Sequence, residues 1–375
     1  MKKHPGIQIP YHPLRYIHPE LRDEMLHTFA RVYDSEWYIL GENLLEFEKA
    51  YAEYIECHYA IGVGSGLDAL MIALKCLDIG PGDEVIVPAN SFIATALAVH
   101  HCGAIPVFAD PDPYSYNLST QGIEKALTRS TKAVIPVHLY GNPAPIDDIC
   151  RICEFHGLYV VEDNAQAHGA RHHGHRTGSF GHMSATSFYP VKNHGAVGDG
   201  GMITTDSHFL YEKAARLRNY GGVQKDHWEL PGYNSRLDEL QAALLMVKLR
   251  HLDRWNSERR AIASRYLEQL RGVGDLQLPV YAAQDEAVCH VFPVVTGLRD
   301  KLRQYLMSRG VDTLIHYPVP IHMQPAFRHL KITEGCLPVS EKLSRTELSL
   351  PIYPGLKDYE IAYVSESVRD FFKNH

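Results

Sequence analysis

The sequence predicts an α/β chain: a doubly wound domain built on a mostly parallel sheet of about seven strands, followed by a smaller C-terminal α+β domain. Three observations carry this. Short β-branched runs recur between residues 60 and 206, and the first five are continuously apolar rather than alternating. Continuous runs mark strands buried on both faces, as in a parallel sheet covered by helices. Helical patterns sit between several of these runs. With 375 residues, the chain is long enough for two domains.

In order along the chain, LRDEMLHTFARVYDSEWYILG and ENLLEFEKAYAEYIECH read as two helices with a turn at Gly41. The strand runs are AIGVG (60–64), EVIVP (84–88), IPVFAD (105–110), KAVIPVHLY (132–140), LYVVED (158–163), ATSFYP (185–190) and GMITTD (201–206). Between them, LDALMIALKCLDIG (67–80) puts apolar residues at 67, 70, 71, 74 and 77, one face of a helix that Gly80 can end. IDDICRICEFHG (146–157) ends the same way at Gly157. Residues 237–272 read as one helix of 36 residues that could bridge two domains. QLPVY, HVFPVVTG and KLRQYLMSRG follow, with Pro-rich turns. The expected division is a large domain over 1–250, including the N-terminal helices, and a small one over 251–375.

Composition narrows the function. Hydrophobic residues make up 45% and charged residues 22%, which excludes a mainly disordered or low-complexity chain. Net charge is −7, without a basic tail, so no nucleic-acid partner is expected. MKKHPGIQIPYHPL has no apolar core and does not read as a secretory signal. No apolar run reaches the roughly 18 residues of a membrane span. The seven cysteines (57, 76, 102, 150, 153, 289 and 336) are odd in number and scattered, and read as reduced thiols in a cytoplasm.

Three segments carry candidate chemistry. GVGSGLDAL (62–70) joins a strand to a helix. Its glycines let backbone N–H groups approach a ligand, and a helix start favours an anion such as phosphate. It is neither a Walker loop nor G-x-G-x-x-G, and a plain tight turn reads equally well. In LYVVEDNAQAHGA (158–170), Asp163 ends a buried strand, the edge where open α/β sheets bind ligands. Taken alone it could be a helix cap or ion-pair partner. In SATSFYPVKNHGAVGDGG (184–201), Lys192 precedes a glycine-rich loop. A desolvated lysine there would have a depressed pKa and act as a nucleophile, whereas a solvated loop lysine would do nothing. Together, a phosphate cradle, a strand-end carboxylate and a lysine are what pyridoxal phosphate (PLP) requires. Phe92, in PANSFIATALA, could stack on the ring.

These segments resemble the nucleotide-sugar aminotransferases of the DegT/DnrJ/StrS group, within the aspartate-aminotransferase (fold type I) superfamily. The resemblance runs from WYILGENLLEFEKAYAEY to LSLPIYPGL, through GSGLDAL, GPGDEVIVPANSFIATA, VHLYGNPAPID, VEDNAQAHGA, SFYPVKNHGAVGDGG and GYNSRLDELQAALL in the family's order. It implies a three-layer fold and a role for each matching residue. Lys192 is then the Schiff-base lysine and proton carrier. Asp163 pairs with the pyridinium nitrogen, and Gln166 bonds the ring hydroxyl. Gly66, Leu67 and Ser187 hold the phosphate, and Phe92 covers the ring. Asn234 reaches the phosphate of a neighbouring subunit, which implies a homodimer with shared active sites. His322 matches a position near the sugar pocket. The family's dehydratase branch has histidine in place of this lysine, so transamination is implied, with L-glutamate as donor and a nucleotide sugar as acceptor. Members with the GLDAL form tend to aminate C3 of a dTDP-linked 3-keto-6-deoxyhexose. A 4-keto sugar nucleotide, a keto-cyclitol and a non-catalytic PLP-binding sensor remain alternatives. His194 departs from the family, which usually has an aliphatic residue there, and its role stays unassigned.

Other features read as structural. No metal is expected, because His172, His173 and His175 lie in a polar surface hairpin without an accompanying cysteine or carboxylate pattern. Cys150 and Cys153 form C-x-x-C inside a helical pattern and read as helix packing.

Overall fold

The computed structural model describes residues 7–13, 19–224 and 226–375. The N-terminal helices are α1 (Arg22–Asp34) and α2 (Glu42–Ile55). Then come β1 (Tyr59–Val63), α3 (Gly66–Cys76), β2 (Glu84–Pro88), α4 (Ala94–His101), β3 (Ile105–Ala109), α5 (Thr120–Ala126), β4 (Thr131–Val134), α6 (Ile146–His156) and β5 (Tyr159–Asp163). A hairpin of β6 (Arg171–His172) and β7 (His175–Arg176) leads to β8 (Met183–Ser187) and β9 (Gly201–Thr205). Next are α7 (His208–Leu217), the short pair β10 (Gly222–Gln224) and β11 (His227–Trp228), α8 (Glu239–Leu249) and α9 (Leu252–Leu270). The chain closes with β12 (Asp285–Glu286), β13 (Phe292–Val295), α10 (Arg299–Ser308), α11 (Pro338–Thr346), β14 (Glu347–Leu350) and α12 (Asp358–Lys373).

All seven expected strands enter one sheet, in the order β1-β9-β8-β5-β4-β2-β3. The five from β8 to β3 pair in parallel, while β9 runs against both β1 and β8. Strand β2 shows why the runs are continuously apolar. Val85 and Val87 pack with α3 and α4 on one face, and Ile86 packs with α5 and α6 on the other. A third cluster joins α2 and α8 to Phe188 and Met202 near β8 and β9. The result is three layers, with helices on both faces of the sheet.

Two expectations change. Residues 237–272 are not one helix: a turn at Arg250 and His251 separates α8 from α9. The turn is needed because the two halves face different cores. Ala242 and Leu245 of α8 pack with α2, whereas Ile262, Tyr266 and Leu270 of α9 pack with β13, β14 and α12. Helix α3 also ends at Cys76, ahead of Gly80. In addition, Ile9 forms a parallel bridge with Val311 and joins the core of β13, β14 and α12, so the segment around it packs with C-terminal residues.

One buried carboxylate ties the edge of the sheet together. Glu162 of β5 is fully enclosed and accepts from His138 Nε2 (3.0 Å) and from the N–H groups of Gly178, Phe180 and Gly181, each at 2.8 Å. His138 Nδ1 in turn accepts from the Ala144 N–H at 3.0 Å, which puts the ring proton on Nε2. Burial alone would raise the Glu162 pKa, but His138 and the backbone donors outweigh it and hold the carboxyl below its ordinary range. Replacing Glu162 with Ala strands one buried and two part-buried N–H groups and a buried histidine, and should destabilise the protein by about 3–5 kcal/mol, read as a lower urea midpoint. A midpoint equal to that of the parent chain would contradict this account.

Candidate active site

The chemistry-bearing segments converge on the carboxyl edge of the sheet. β1, β8 and β5 all end there. β9, running the opposite way, begins there: Gly201 pairs with Val63 on one side and Ser187 on the other. At the end of β1, Ser65 caps α3, its Oγ accepting from the Asp68 N–H at 3.1 Å. The first-turn N–H groups of Gly66 and Leu67 cannot be satisfied inside the helix. They face a tight corner, because a Cβ on Gly66 would lie 2.6 Å from Ser187 Cβ and one on Gly201 would lie 2.3 Å from Ser65 O. Only glycines let the helix start close on Ser187. Unpaired N–H groups, a helix start and a serine hydroxyl in one corner suit a phosphate.

Asp163 is buried at the end of β5. Thr95 Oγ1 donates to its Oδ2 at 2.8 Å, and the Ala165 N–H to its Oδ1 at 3.2 Å. Burial raises its pKa against these two donors and the nearby positive charge of Lys192. A cation facing it restores the ionised form, which is what a protonated ring nitrogen supplies. Lys192 lies half-buried in the turn after β8, where its N–H bonds Tyr189 O at 2.8 Å. Desolvation pushes its ammonium pKa from 10.5 down to about 8, and Asp163 limits the fall. Among the described residues, Nζ makes no hydrogen bond.

The remaining sequence-assigned residues divide. Gln166 is buried, its Oε1 accepting from the Tyr140 N–H (2.7 Å) and its Nε2 donating to Tyr317 Oη (3.0 Å), with one amide proton left over. Phe92 is 55% exposed, with its ring 5.6 Å from that of Tyr317. Ser187 stands against Gly66. Asn234 is exposed, while its neighbour Ser235 donates to Asp68 Oδ2 at 2.8 Å and accepts from the Gly64 N–H at 3.0 Å. His322 does not join the group. Its side chain is enclosed, with Nε2 3.3 Å from Glu341 Oε1 and its ring against Phe108, so it meets no open pocket. His194 is also inward. Its Nε2 donates to Leu245 O at 3.0 Å, and its ring stacks on Tyr51 (6.1 Å, 11°) and meets Phe188 edge-on. Burial holds it neutral, with a pKa lowered to about 3, so it fills an aromatic core.

Sequence reasoning missed several groups. Thr95, Tyr140 and Tyr317 bond the assigned residues directly. His168 Nε2 meets Ser187 O at 2.9 Å and steadies the phosphate corner. Asn193, next to Lys192, bonds Asn256 Oδ1 and Val288 O (both 3.0 Å) and receives His290 Nδ1 (3.0 Å). Only the offset of Thr95 from Phe92 was available as a signal. The other partners come from distant segments.

Three comparisons place this arrangement. A family model described as "DegT/DnrJ/EryC1/StrS aminotransferase family" matches residues 19–369. The chain is 48% identical over 364 residues to the dTDP-3-amino-3,4,6-trideoxy-alpha-D-glucose transaminase of Streptomyces venezuelae, covering 97% of this chain and 96% of that protein. It is 46% identical to the "Erythromycin biosynthesis sensory transduction protein EryC1" of Saccharopolyspora erythraea, covering 93% and 96%. A crystal structure of S. venezuelae DesV in complex with a ketimine intermediate superposes with a TM-score of 0.96 at 47% identity, covering 98% of this chain and 99% of that one.

The lowered pKa of Lys192 can be checked directly. In cofactor-free protein, the rate of Lys192 modification by an amine-acylating reagent, followed by peptide mass spectrometry, should rise with a midpoint near pH 8, because the neutral amine reacts. Asp163→Asn removes the charge that favours the ammonium and should move the Lys192 midpoint lower still. A midpoint above 10 for Lys192 would contradict the burial account.

Proposed function

The chain belongs to the DegT/DnrJ/EryC1/StrS aminotransferase family, and on that premise we propose that it moves an amino group from L-glutamate to C3 of a dTDP-linked 3-keto-6-deoxyhexose. The product would be the corresponding dTDP-3-amino-3,6-dideoxyhexose. The observation that carries the chemistry is a single cationic lysine, desolvated and beside a buried strand-end carboxylate. The C3 position and the dTDP handle rest on the Streptomyces venezuelae relative, a transaminase named for a dTDP-3-amino sugar.

The residues fit PLP. When bound, this group supplies an aldehyde that condenses with amines and a protonated ring that accepts the electrons of a breaking C–H bond. Everything else falls to the chain. The Lys192 amine is about half neutral near pH 8, so it can attack as a nucleophile and later carry a proton from one carbon to another across the nitrogen between them. Asp163, oriented by Thr95 and Ala165, keeps a proton on the ring nitrogen. Gly66, Leu67 and Ser187 would hold the phosphate, the spare Gln166 amide proton would serve the ring hydroxyl, and Phe92 would cover the ring. His322 is left out of the sugar pocket.

We also infer a homodimer with Asn234 reaching across to the partner's phosphate. Supporting it, Leu26, Phe29, Tyr33, Trp37 and Tyr38 stand exposed on α1 and the turn after it, a denser apolar face than a monomer usually shows. The seven free thiols support a cytoplasmic location.

The test is a coupled assay offering 3-keto and 4-keto dTDP-sugars with glutamate, the aminated carbon being identified by NMR. Amination at C3 with ping-pong kinetics is expected, and Lys192→Ala should lose at least about a thousandfold in turnover while keeping its circular dichroism. Exclusive amination of the 4-keto sugar would replace the C3 reading. The name of the Saccharopolyspora relative favours a second reading, a PLP-binding sensor. It would be supported if glutamate failed to bleach the visible band of the bound cofactor. By light scattering, a monomer at micromolar concentration would count against the shared-site arrangement.

A further inference from the structure

We propose that Asp147, His172 and His173 bind a divalent cation of the zinc and cobalt class, at a site apart from the lysine centre. The expectation that no carboxylate accompanies the hairpin histidines does not hold. Asp147 lies in the first turn of α6, while His172 ends β6 and His173 occupies the hairpin turn at φ 49°. The fold brings them together although Asp147 and His172 are 25 positions apart in sequence.

The distances suit an ion, although the rings of His172 and His173 stack (centroids 4.3 Å, 12°), so the half-exposed His173 ring must turn for both nitrogens to face one ion. Asp147 Oδ2 is 3.4 Å from His172 Nε2 and 3.1 Å from His173 Nδ1, and the three ligand atoms lie within 4.8 Å of one another. Tetrahedral coordination with bonds of about 2.0–2.1 Å separates ligand atoms by about 3.3–3.4 Å. Both contacts are close approaches without hydrogen-bond alignment, and among the described residues neither nitrogen has another hydrogen-bond partner.

The surroundings prepare the histidine. His172 Nδ1 lies 2.6 Å from Asp285 Oδ1, and Asp285 is its direct partner across the β6–β12 pair. A proton held on Nδ1 by that carboxylate leaves the Nε2 lone pair free, the usual tautomer of a metal-ligating histidine backed by a carboxylate. The His172 side chain is 5% exposed, while Asp147 and His173 are 37% and 52% exposed. The buried ligand is therefore fixed, and the open side has room for water as a fourth ligand. Two imidazoles and one carboxylate suit borderline cations. A bound ion would pin the start of α6 to the hairpin and, through Asp285, to β12.

The test uses the full chain, stripped with a chelator and titrated with zinc chloride, then with cobalt chloride for its visible bands. One tight equivalent and a higher thermal midpoint are expected for the parent protein. His173→Ala and Asp147→Asn should each weaken binding at least about tenfold. His175→Ala, an exposed histidine of the same hairpin outside the triad, should not. His173 is half-exposed and Asp147→Asn is isosteric, so unchanged circular dichroism separates lost binding from lost fold. If the parent takes up no zinc, or if both triad variants bind as tightly as the parent, the site does not exist.

Discussion

The site depends on one electrostatic constraint: a lysine and an aspartate share a desolvated corner in which neither charge is comfortable alone. Burial pushes Lys192 toward its neutral form and Asp163 toward its protonated form. Each partly restores the other's charge, because a Coulomb interaction counts for more where water is excluded. The balance leaves the amine near the neutral range, where it can both attack and carry a proton. The three-layer fold makes this possible by covering both faces of β5 and β8, so that the corner forms at their ends.

Holding that corner still takes more residues than the reacting ones. Glu162 and Asp163 are adjacent on β5 and so point to opposite faces of the sheet. One is locked by His138 and three backbone donors, which fixes the strand that presents the other. On the lysine side, Asn193 binds groups at 256, 288 and 290, so the C-terminal part of the chain steadies the turn. Remote segments thereby set the geometry of a centre they do not enter.

The seven strands were legible because their apolar runs are continuous and bounded by turn residues. The lysine, aspartate and glycine corner was legible because each lies within a few residues of a strand end. The break between α8 and α9 was not. Residues 237–272 have helical character throughout, and only the change of packing partner from α2 to β13 and β14 demands the turn. The surroundings of His322 and His194 were not legible either. A histidine looks reactive in a sequence, yet here each is enclosed, one against Glu341 and one among Tyr51 and Phe188. Asp147 escaped notice beside the hairpin because local spacing cannot reveal a contact between a helix and a hairpin.

The reversed direction of β9 has one more effect. A strand parallel to β8 would need a crossover helix, and the chain would leave the reactive edge. Because β9 is antiparallel to β8, residues 188–200 return along that edge as a loop, with Lys192 near its middle. The loop carries no layer of the architecture. Phe188, Asn193, His194 and Ala196 nevertheless turn inward from it, so the segment that presents the lysine is anchored on both sides of Lys192, and a change in its length would be felt in the core.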